Sequence, residues 1–453
     1  MTMLFQSDLL YSLFPDTTKN LDFTITEVNT DSRKNAPDSL FVPIRGERFD
    51  AHAFIEQAIA QGAVASLWDK SIPVPEAAAS IVLFLVDDTL QALQRLAQAH
   101  REAVDPIVVG ITGSNGKTTT KDLVTSVLKE KYDVLATKGN LNNHIGLPLT
   151  ILSMRPSCEV LVLEMGMSNF GEIELLSHIA QPDYAIITNI GESHIEFLGS
   201  REGIAKAKSE ITAGLAKDGM LIIDGDESLL AAHHSKKTTI TCGFEAHNDQ
   251  LLTIEKTRES TTVFSVNGEN YTFSLLGAHN VRNAGYAIVL GRQLGLTQEQ
   301  IQRALSKPSM TGMRMELLDG VNGSKIINDA YNASPTSMKA AIQTVQGMPF
   351  GRRILVLGDI YEIGAESKRY HRDIATVITT DSSYVFTVGE DADEISAALK
   401  DERMTAIHFP DKDSLTEALL PLLQEDTIVL LKASRGMKME SILDTIAVME
   451  ENK

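Results

Sequence analysis

A glycine-rich turn followed by a lysine and three threonines is the feature of this chain best suited to chemistry. Residues 108–120 read VVGITGSNGKTTT, so an apolar run ends in the turn and a helical segment follows. Backbone N–H groups at Gly113 and Gly116 can close on an anion, and the positive end of the helix adds to the attraction. The pattern predicts phosphate binding, with Lys117 on the β- and γ-phosphates and the Thr118 hydroxyl on Mg²⁺.

This turn is a short variant of the phosphate-loop pattern. The strict pattern has another glycine six residues before the lysine, where this chain has Ile111. The alternative is a chance glycine-rich turn, but strand, turn, Lys-Thr and helix in this order favour nucleotide binding. The predicted nucleotide contacts in the loop are Gly113, Ser114, Asn115, Gly116, Lys117, Thr118 and Thr119.

Composition indicates a globular protein with about three domains, since domains average about 150 residues. The chain has 453 residues, of which 43% are hydrophobic and 22% charged. Its 41 basic and 60 acidic residues give a net charge of −19, which argues against nucleic acid or an anionic membrane as the main partner. The two cysteines offer neither a disulfide framework nor metal-ligand spacing.

The N-terminal residues do not resemble a signal peptide, because they lack a basic region and Asp8 interrupts the apolar ones. The longest aliphatic run, residues 81–86, is too short to span a bilayer. We therefore expect a cytoplasmic protein without membrane insertion.

Strand-like and helix-like segments alternate along most of the chain, which predicts an α/β fold with mostly parallel sheets. Helical stretches are expected at residues 90–99 and 298–305, and alternation at 261–265 and 271–274 predicts a small antiparallel insertion. The segment Lys307-Pro308-Ser309 is typical of a linker. The predicted domains are 1–105, 106–308 and 309–453.

Several strand-like runs end in polar residues, at the carboxyl edge where parallel sheets bind ligands. One ends at Glu164, which beside a phosphate loop favours a Mg²⁺ ligand over an ordinary exposed carboxylate. Another leads through TNIGES to His194, which is about equally suited to metal ligation and to a loop hydrogen bond. A third ends at Asp329, where a ribose contact competes with a simple Asn, Ser and Pro turn.

Further polar candidates have open alternatives at this stage. Asn280 and Asn283 share one face of a predicted helix, where an amide can pair with adenine or remain solvated. Tyr331 could pack on a base. Lys432 and Arg435 could bind a carboxylate or phosphate, or form a solvated basic turn. By spacing alone, the lysines at 206 and 208 indicate a solvated helix face.

Taken in order, these segments closely resemble the Mur ligase family of ATP-dependent peptide-bond-forming enzymes over essentially the whole chain. The motifs that carry the resemblance are TGSNGKTTT (112–120), LEMG (163–166), TNIGESH (188–194), AKSEI (207–211), GAHNVRNA (277–284) and Arg314. Three more segments resemble the branch that adds D-alanyl-D-alanine, namely KGNLNNHIGLP (138–148), DAYNASP (329–335) and VLGDIYEIGAES (356–367) with His371 beyond.

The resemblance implies an N-terminal UDP-binding α/β domain, a central P-loop ATPase and a C-terminal Rossmann-like ligase domain. It implies that ATP, with Mg²⁺, drives addition of D-Ala-D-Ala to UDP-MurNAc-tripeptide through an acyl phosphate. His279, Asn280 and Asn283 would hold adenine, and Arg314, Asp329 and Tyr331 would complete the nucleotide site. Because these residues come from two predicted domains, closure over ATP is expected before the reaction.

The resemblance also implies metal and substrate sites. Thr118 and Glu164 would hold one metal, and His194 and Lys208 would act at a second. An ammonium group has no lone pair to bind a cation, and in this family the matching lysine is carbamylated by CO₂, a role that AKSEI assigns to Lys208 and not to Lys206. The expected contacts with UDP-MurNAc-tripeptide and D-Ala-D-Ala are Ser32, Arg33, Gly46, His52, Asn140, Asn143, Asn332, Lys432 and Arg435.

The uridine-nucleotide resemblance rests on TDSR (30–33) and FVPIRGERFDAHAFI (41–55), with Ala51 where glycine is usual. A folylpolyglutamate synthase is the nearest rival, but it lacks a domain before the phosphate loop. A regulatory GTPase would need an N-K-x-D motif, which the chain lacks. Intact Lys117, Glu164, His194 and Lys208 argue against a scaffold that only binds precursors. A monomer is expected, and the third stem-peptide residue stays open between lysine and diaminopimelate.

Overall fold

The computed structural model describes residues 3–46, 49–234, 238–257 and 261–448, so residues 47 and 48 of the segment 41–55 lie outside it. The chain divides into two compact units. The first comprises Met1–Thr112, Lys131–Ala185 and Glu210–Met220, and the second comprises Gly113–Glu130, Ile186–Ser209 and Leu221–Lys453.

The first unit contains a four-stranded parallel sheet near its N-terminus. Its strands lie in the order Glu27–Asn29, Ser39–Phe41, Ala63–Asp69 and Val82–Val86. A short antiparallel pair, Phe5–Gln6 and Thr24–Ile25, precedes them. The α-helices are Ser7–Leu13, Ile55–Ala60 and Thr89–Val104. The last begins where the Asp88 side chain accepts a hydrogen bond from Gln91 N, and it confirms the helix expected at 90–99.

The strand leading into the phosphate loop also belongs to the first unit. Ile107–Thr112 pairs in parallel with Val160–Glu164, which pairs in parallel with Val134–Ala136. The strand Val160–Glu164 is buried along its whole length, as expected for a parallel strand covered on both faces. Helix Gly146–Ile151 follows the strand Val134–Ala136, and helix Glu172–Ala180 follows the strand Val160–Glu164. The strand Tyr184–Ile187 crosses the boundary between the units.

The second unit contains the predicted antiparallel insertion. Met220–Asp224, Thr239–Gly243 and Gln250–Thr257 pair in parallel, and Thr262–Val266 and Glu269–Phe273 then continue the sheet antiparallel. The α-helices of this part are Lys117–Leu128, Ile195–Leu198, Arg201–Ser209, Ala278–Gln293 and Gln298–Ser306. The helices expected after the phosphate loop and at 298–305 are confirmed.

The rest of the second unit is a six-stranded sheet covered on both faces. Its strands lie in the order Glu316–Asp319, Lys325–Asn328, Thr427–Lys432, Arg352–Gly358, Tyr384–Val388 and Thr405–Phe409, and the first alone is antiparallel. Helices Pro335–Gln346, Ser367–Ile374, Asp393–Ala398, Lys412–Leu419 and Glu440–Ile446 accompany it. Neighbouring residues Ile326 and Ile327 enter two different core clusters, because successive strand side chains point to opposite faces.

The predicted α/β class with mostly parallel sheets is confirmed, and Glu164, Asn328 and Lys432 are the last residues of their strands. The antiparallel edge strand Glu316–Asp319 was not predicted. Its residues alternate between half-buried and exposed, so it carries little of the apolar signal that marks a core strand.

Candidate active site

The glycines of the phosphate loop are required by its geometry. Gly113 has φ +150°, and a β-carbon there would lie 1.8 Å from Thr188 Oγ1. Gly116 has φ +79°, and a β-carbon there would lie 2.7 Å from Asn283 Oδ1. Any other residue would therefore clash with a neighbouring motif, and Gly116 would be strained as well.

The helix after the loop begins without a side-chain cap. It runs from Lys117 to Leu128, and its N-cap residue Gly116 has no side chain to accept from the first N–H groups. The Lys117 ammonium returns over the loop and donates to Gly113 O at 2.8 Å. Thr118 and Thr119 are buried beneath this turn. Lysine and helix dipole thus place positive charge together at the loop, as phosphate binding requires.

The TNIGESH segment forms several hydrogen bonds with the phosphate loop. Thr188 Oγ1 donates to Asn115 O at 2.6 Å, and Asn115 N donates to Asn189 Oδ1 at 3.0 Å. Ser114 N donates to Asn189 O at 3.1 Å. Within the described residues, Ser114 Oγ and Asn115 Nδ2 are buried polar atoms without a hydrogen-bond partner. Such atoms next to a glycine-rich turn suit an anionic ligand.

The two predicted adenine asparagines are buried, so their interpretation as solvated helix residues is wrong. Asn280 Nδ2 donates to Leu276 O at 2.8 Å, which secures the start of helix Ala278–Gln293. Asn283 Nδ2 donates to Asn280 Oδ1 at 3.3 Å, and the Asn283 amide lies against Gly116. The pKa of the neighbouring His279 is lowered to about 4, chiefly by burial, so this ring is neutral near pH 7.

Lys206 and Lys208 have different environments although they share helix Arg201–Ser209. Lys206 is exposed, whereas Lys208 is only 2% exposed. Burial, and then the positive charge of Lys117, lower the pKa of Lys208 well below its ordinary value. The solvated-face interpretation is therefore wrong for Lys208, whose amine is biased toward the neutral form.

His194 has a left-handed backbone with φ 64° and precedes the short helix Ile195–Leu198. Its Nδ1 lies 2.7 Å from Glu362 Oε2, and its side chain is 25% exposed. Glu362 belongs to the VLGDIYEIGAES segment and also has positive φ, at 61°. The His194 ring lowers the pKa of Glu362, so that carboxylate is ionised.

The DAYNASP segment lies beside Arg314. The Arg314 guanidinium stacks on the Tyr331 ring, with Cζ 4.1 Å from the ring centroid. Asp329 Oδ1 accepts from Met315 N at 3.1 Å, and Asp329 Oδ2 lies 2.5 Å from Lys432 Nζ. One face of Tyr331 and both oxygens of Asp329 thus have protein partners, and their nucleotide contacts stay predictions.

The predicted C-terminal substrate residues differ in exposure. Lys432 is 2% exposed, and its ammonium also donates to Asn332 O at 3.2 Å, so it fixes the turn that carries Asp329. The Asn332 side chain is exposed. Arg435 is exposed and pairs with Glu440. Of these residues, Asn332 and Arg435 are the ones a ligand can reach without displacing a buried ion pair.

In the first unit, Glu164 is a buried carboxylate at the end of its strand. Asn142 Nδ2 donates to Glu164 Oε1 at 2.9 Å, and Glu164 N donates to Thr137 Oγ1 at 3.0 Å. Of the two predicted asparagines nearby, Asn143 accepts from Ile145 N and Gly146 N, at 3.1 and 2.8 Å, and Asn140 has an exposed side chain. Sequence reasoning missed Asn142, although the NLNN run was its signal.

The four predicted uridine-nucleotide residues are in the first unit. Ser32 is buried and donates to Gln57 Oε1 at 2.8 Å, whereas Arg33 is exposed and pairs with Asp31 at 2.8 Å. His52 is buried, and its ring lies edge-on to Trp68, with centroids 4.8 Å apart. Gly46 is exposed. Ser32 and His52 therefore also serve the packing of this part of the chain.

A cavity of about 520 Å³ lies in the first unit. Thr30 from TDSR and Lys138 from KGNLNNHIGLP both line it, with Arg155 and Lys34 as further cations, the latter paired with Glu27 of the same lining. Two segments far apart in sequence thus meet at one basic cavity. Its volume suits a nucleotide-sized ligand.

Three family models match the chain. The Mur ligase family catalytic domain matches residues 24–101, the Mur ligase middle domain residues 111–291, and the Mur ligase glutamate ligase domain residues 313–435. A relative from Bacillus subtilis, "UDP-N-acetylmuramoyl-tripeptide--D-alanyl-D-alanine ligase", is 49% identical over 422 residues, covering 92% of each chain. The chain belongs to the Mur ligase family.

Solved Mur ligases share this fold. A crystal structure of MurF from Acinetobacter baumannii has a TM-score of 0.88 and 30% identity, covering 97% of this chain and 98% of that one. MurF ligase from Thermotoga maritima in complex with ADP has a TM-score of 0.83 and 29% identity, covering 92% and 96%. These matches extend over nearly the whole length of each protein.

Oxygen donors for the Mg²⁺ expected in a Mur ligase are present as the Thr118 hydroxyl and the buried Glu164 carboxylate. The described residues contain no group of three or more His, Cys, Asp or Glu side chains that could hold a metal. Mg²⁺ commonly uses one or two carboxylates together with substrate phosphates and water, so the donor types fit. Every helix in the described ranges is too short or too polar to cross a membrane.

Proposed function

We propose that this Mur ligase uses ATP to join D-Ala-D-Ala to UDP-MurNAc-tripeptide, which yields UDP-MurNAc-pentapeptide for peptidoglycan synthesis. The observation that carries the proposal is the 49% identity with the Bacillus subtilis ligase over 92% of both chains. A shared fold alone would not specify the substrates. Identity at this level, with intact phosphate-loop and acceptor-branch motifs, supports the same reaction.

The reaction has two steps. The terminal carboxylate of the tripeptide attacks the γ-phosphorus, a P–O bond forms, and ADP leaves with the electrons of the cleaved bond. The amine of D-Ala-D-Ala then attacks the carbonyl carbon of this acyl phosphate and loses a proton. Collapse of the tetrahedral intermediate forms the amide and releases phosphate.

The first step brings a carboxylate to a polyanion, so positive charge must offset the repulsion. Lys117 and the N-terminus of helix Lys117–Leu128 provide it at the loop. Arg314 can add a second cation that recognises phosphate through planar, paired hydrogen bonds. Such fixed charges stabilise charge developing on the transferred group, a large term in phosphoryl transfer.

ATP recognition follows from the same residues. We propose that Asn283, with Asn280 and His279, contacts adenine, and that Asp329 contacts ribose from the C-terminal part. The Thermotoga maritima relative was crystallised in complex with ADP, which supports an adenine nucleotide. Closure of the two predicted domains over ATP would exclude water from the acyl phosphate.

Thr118 and Glu164 are the proposed Mg²⁺ ligands at the phosphates, and His194 and a carbamate on Lys208 are proposed at a second metal. A bound Mg²⁺ would neutralise phosphate charge. Carbamylation consumes a neutral amine, and burial together with the charge of Lys117 lowers the pKa of Lys208, which favours that form. The resulting anion would offset the charge of Lys117, which repels the ammonium form.

The basic cavity of the first unit is the proposed site for the UDP-sugar part of the tripeptide. Its lining combines Thr30 and Lys138 from the two predicted substrate segments. We retain Ser32, Arg33, Gly46, His52, Asn140 and Asn143 as proposed contacts around it, and Asn332, Lys432 and Arg435 on the C-terminal side. The proposed domains are 1–105, 106–308 and 309–453, in a monomer that acts in the cytoplasm, where ATP and its UDP-linked substrate are found.

A phosphate-release assay tests the function. Phosphate should appear with ATP, D-Ala-D-Ala and UDP-tripeptide together, and release should be slow when the UDP-tripeptide is left out. The lysine and diaminopimelate tripeptides should be compared, and Lys117→Ala is the inactive control. Release with folate and glutamate instead of these substrates would contradict the proposal.

A further inference from the structure

Arg314 lies between two strained residues. Met313 has φ 60° and Met315 has φ 50°, so both occupy the left-handed region. Bulky side chains rarely adopt this conformation, because the β-carbon crowds the following carbonyl. Two such residues flanking one arginine indicate that the surrounding structure imposes the backbone path, as strained functional sites often do.

Three hydrogen bonds impose that path. Met313 N donates to Glu316 Oε2 at 2.8 Å, and Tyr331 N donates to Met313 O at 3.2 Å. Met315 N donates to Asp329 Oδ1 at 3.1 Å. The backbone on each side of Arg314 is thus bound to the segment that carries Asp329 and Tyr331.

The Arg314 side chain is directed by the same segment. Its guanidinium carbon lies 4.1 Å from the centroid of the Tyr331 ring, well within the range of a cation–π contact. Arg314 Nε is buried and has no hydrogen-bond partner among the residues the structure describes. The Tyr331 ring therefore orients a guanidinium whose Nε–H group can still donate a hydrogen bond to a ligand.

We propose that Tyr331 is a positioning residue that orients Arg314 toward the phosphates of ATP. This inference rests on the proposed function in one respect, the role of Arg314 at phosphate. The guanidinium lies 4.1 Å from the ring centroid and occupies one face of the Tyr331 ring. The two strained methionines and the stacked ring together fix the direction of the cation before the nucleotide arrives, which reduces the entropy lost on binding.

The experiment is a double-mutant cycle with Tyr331→Leu and Arg314→Ala. Steady-state kcat and KM for ATP are measured for the wild type, each single variant and the double variant. Loss of a cation–π contact should lower kcat/KM for ATP about tenfold in Tyr331→Leu. In the Arg314→Ala background, the same change should cost less than about twofold, because the residue it acts through is gone.

Two further measurements separate positioning from folding and from base stacking. Tyr331→Phe keeps the ring face and should recover most of the activity that Tyr331→Leu loses, whereas a general packing defect would persist or scale with the melting temperature. Binding of adenosine, which lacks phosphate, should be unchanged by Tyr331→Leu while ATP binding weakens.

Three results would overturn the inference: an equal loss in both backgrounds, no recovery in Tyr331→Phe, or adenosine binding reduced as much as ATP binding. Failure of the proposed function is distinguishable. It would appear as a wild type that does not turn over UDP-tripeptide, and the binding cycle with ATP and adenosine would still test Tyr331.

Discussion

Ser334 Oγ donates a hydrogen bond of 2.9 Å to Asn115 Oδ1, although the two residues are 219 positions apart. The same hydroxyl accepts from Ser337 N at 3.2 Å and caps helix Pro335–Gln346. Two residues further on, Thr336 Oγ1 donates to Glu192 Oε2 at 2.7 Å. The first turn of that helix is thus bound to the phosphate loop and to the TNIGESH segment.

Ser334→Ala should weaken ATP binding and also destabilise the fold. Loss of the cap should cost about 1 kcal/mol of unfolding free energy. Loss of the Asn115 contact should raise KM for ATP about threefold to tenfold, because a loop residue loses its support. Urea unfolding and ATP-dependent kinetics measure the two effects. The matched control is Asp411→Ala, which removes the cap of helix Lys412–Leu419 away from the loop. A similar rise in KM for ATP in Asp411→Ala would show that the effect of Ser334→Ala comes from general destabilisation.

Asn142→Ala should raise the Mg²⁺ concentration needed for half-maximal activity, and Glu164→Ala should raise it further. The Asn142 amide donates to Glu164 Oε1 at 2.9 Å and holds that carboxylate in one orientation. Without this hydrogen bond the carboxylate can rotate, which makes it a weaker Mg²⁺ ligand. Mg²⁺ titration of turnover is the measurement. Asn169→Ala, which removes an exposed asparagine contact with Glu172, should leave the titration unchanged. Wild-type Mg²⁺ dependence in Asn142→Ala would show that this contact is only structural.

Lys208→Ala should lose most activity, and acetate should partly restore it by supplying the missing carboxylate oxygens. Lys206→Ala should be nearly silent, because its side chain is on the exposed face of the same helix. Intact protein mass under CO₂ should show one carbamate that Lys208→Ala lacks. Removal of CO₂ and bicarbonate should slow the wild type and leave Lys208→Ala unaffected. An unmodified Lys208 in fully active protein would end the carbamate proposal.

Asn283→Ala should reduce the preference for ATP over GTP about threefold to tenfold, as expected for one lost base contact. Asp329→Asn should weaken ATP and GTP about equally, because their ribose is the same. It should also lower stability, since the buried Lys432 loses its charged partner. Competition binding and thermal unfolding measure these effects. A base preference that changes in Asp329→Asn and not in Asn283→Ala would reverse the two assignments.

Asp224 should make the protein less stable as pH rises from about 4 to about 6. Burial raises its pKa from 3.8 to about 6 despite the opposing charge of Arg282. In that window the folded state binds a proton that the unfolded state has lost, so the contribution of Asp224 to the unfolding free energy falls by about 3 kcal/mol. Below pH 4 and above pH 6 its contribution is flat.

The Asp224→Asn variant has no carboxyl group to titrate at this position. Across this window the difference in unfolding free energy between the variant and the wild type should therefore shift by about 3 kcal/mol in favour of the variant, whatever the difference is at the lower pH. The measurement is urea unfolding at several pH values between about 3.5 and about 7, a range that extends beyond both pKa values. The exposed Asp87→Asn is the control and should follow the wild type. Parallel curves for Asp224→Asn and wild type would contradict the burial argument.

Local pattern was sufficient for much of the fold. The strands before the phosphate loop and before Glu164, and the helices after Gly116 and Gly277, were all predicted, because apolar periodicity and glycine turns are properties of short segments. The edge strand Glu316–Asp319 was not predicted. Alternate residues of this strand are exposed, and the strand forms through its pairing with Lys325–Asn328.

The sequence by itself determined the α/β class, the phosphate loop and the ordered set of family motifs, because each is written in neighbouring residues. Tertiary structure alone decided which of two lysines on one helix is buried, that Asn142 holds Glu164, and that Arg314 covers Tyr331. Burial and side-chain pairing depend on residues brought together by folding from distant positions, and spacing along the chain does not encode the environment of a side chain.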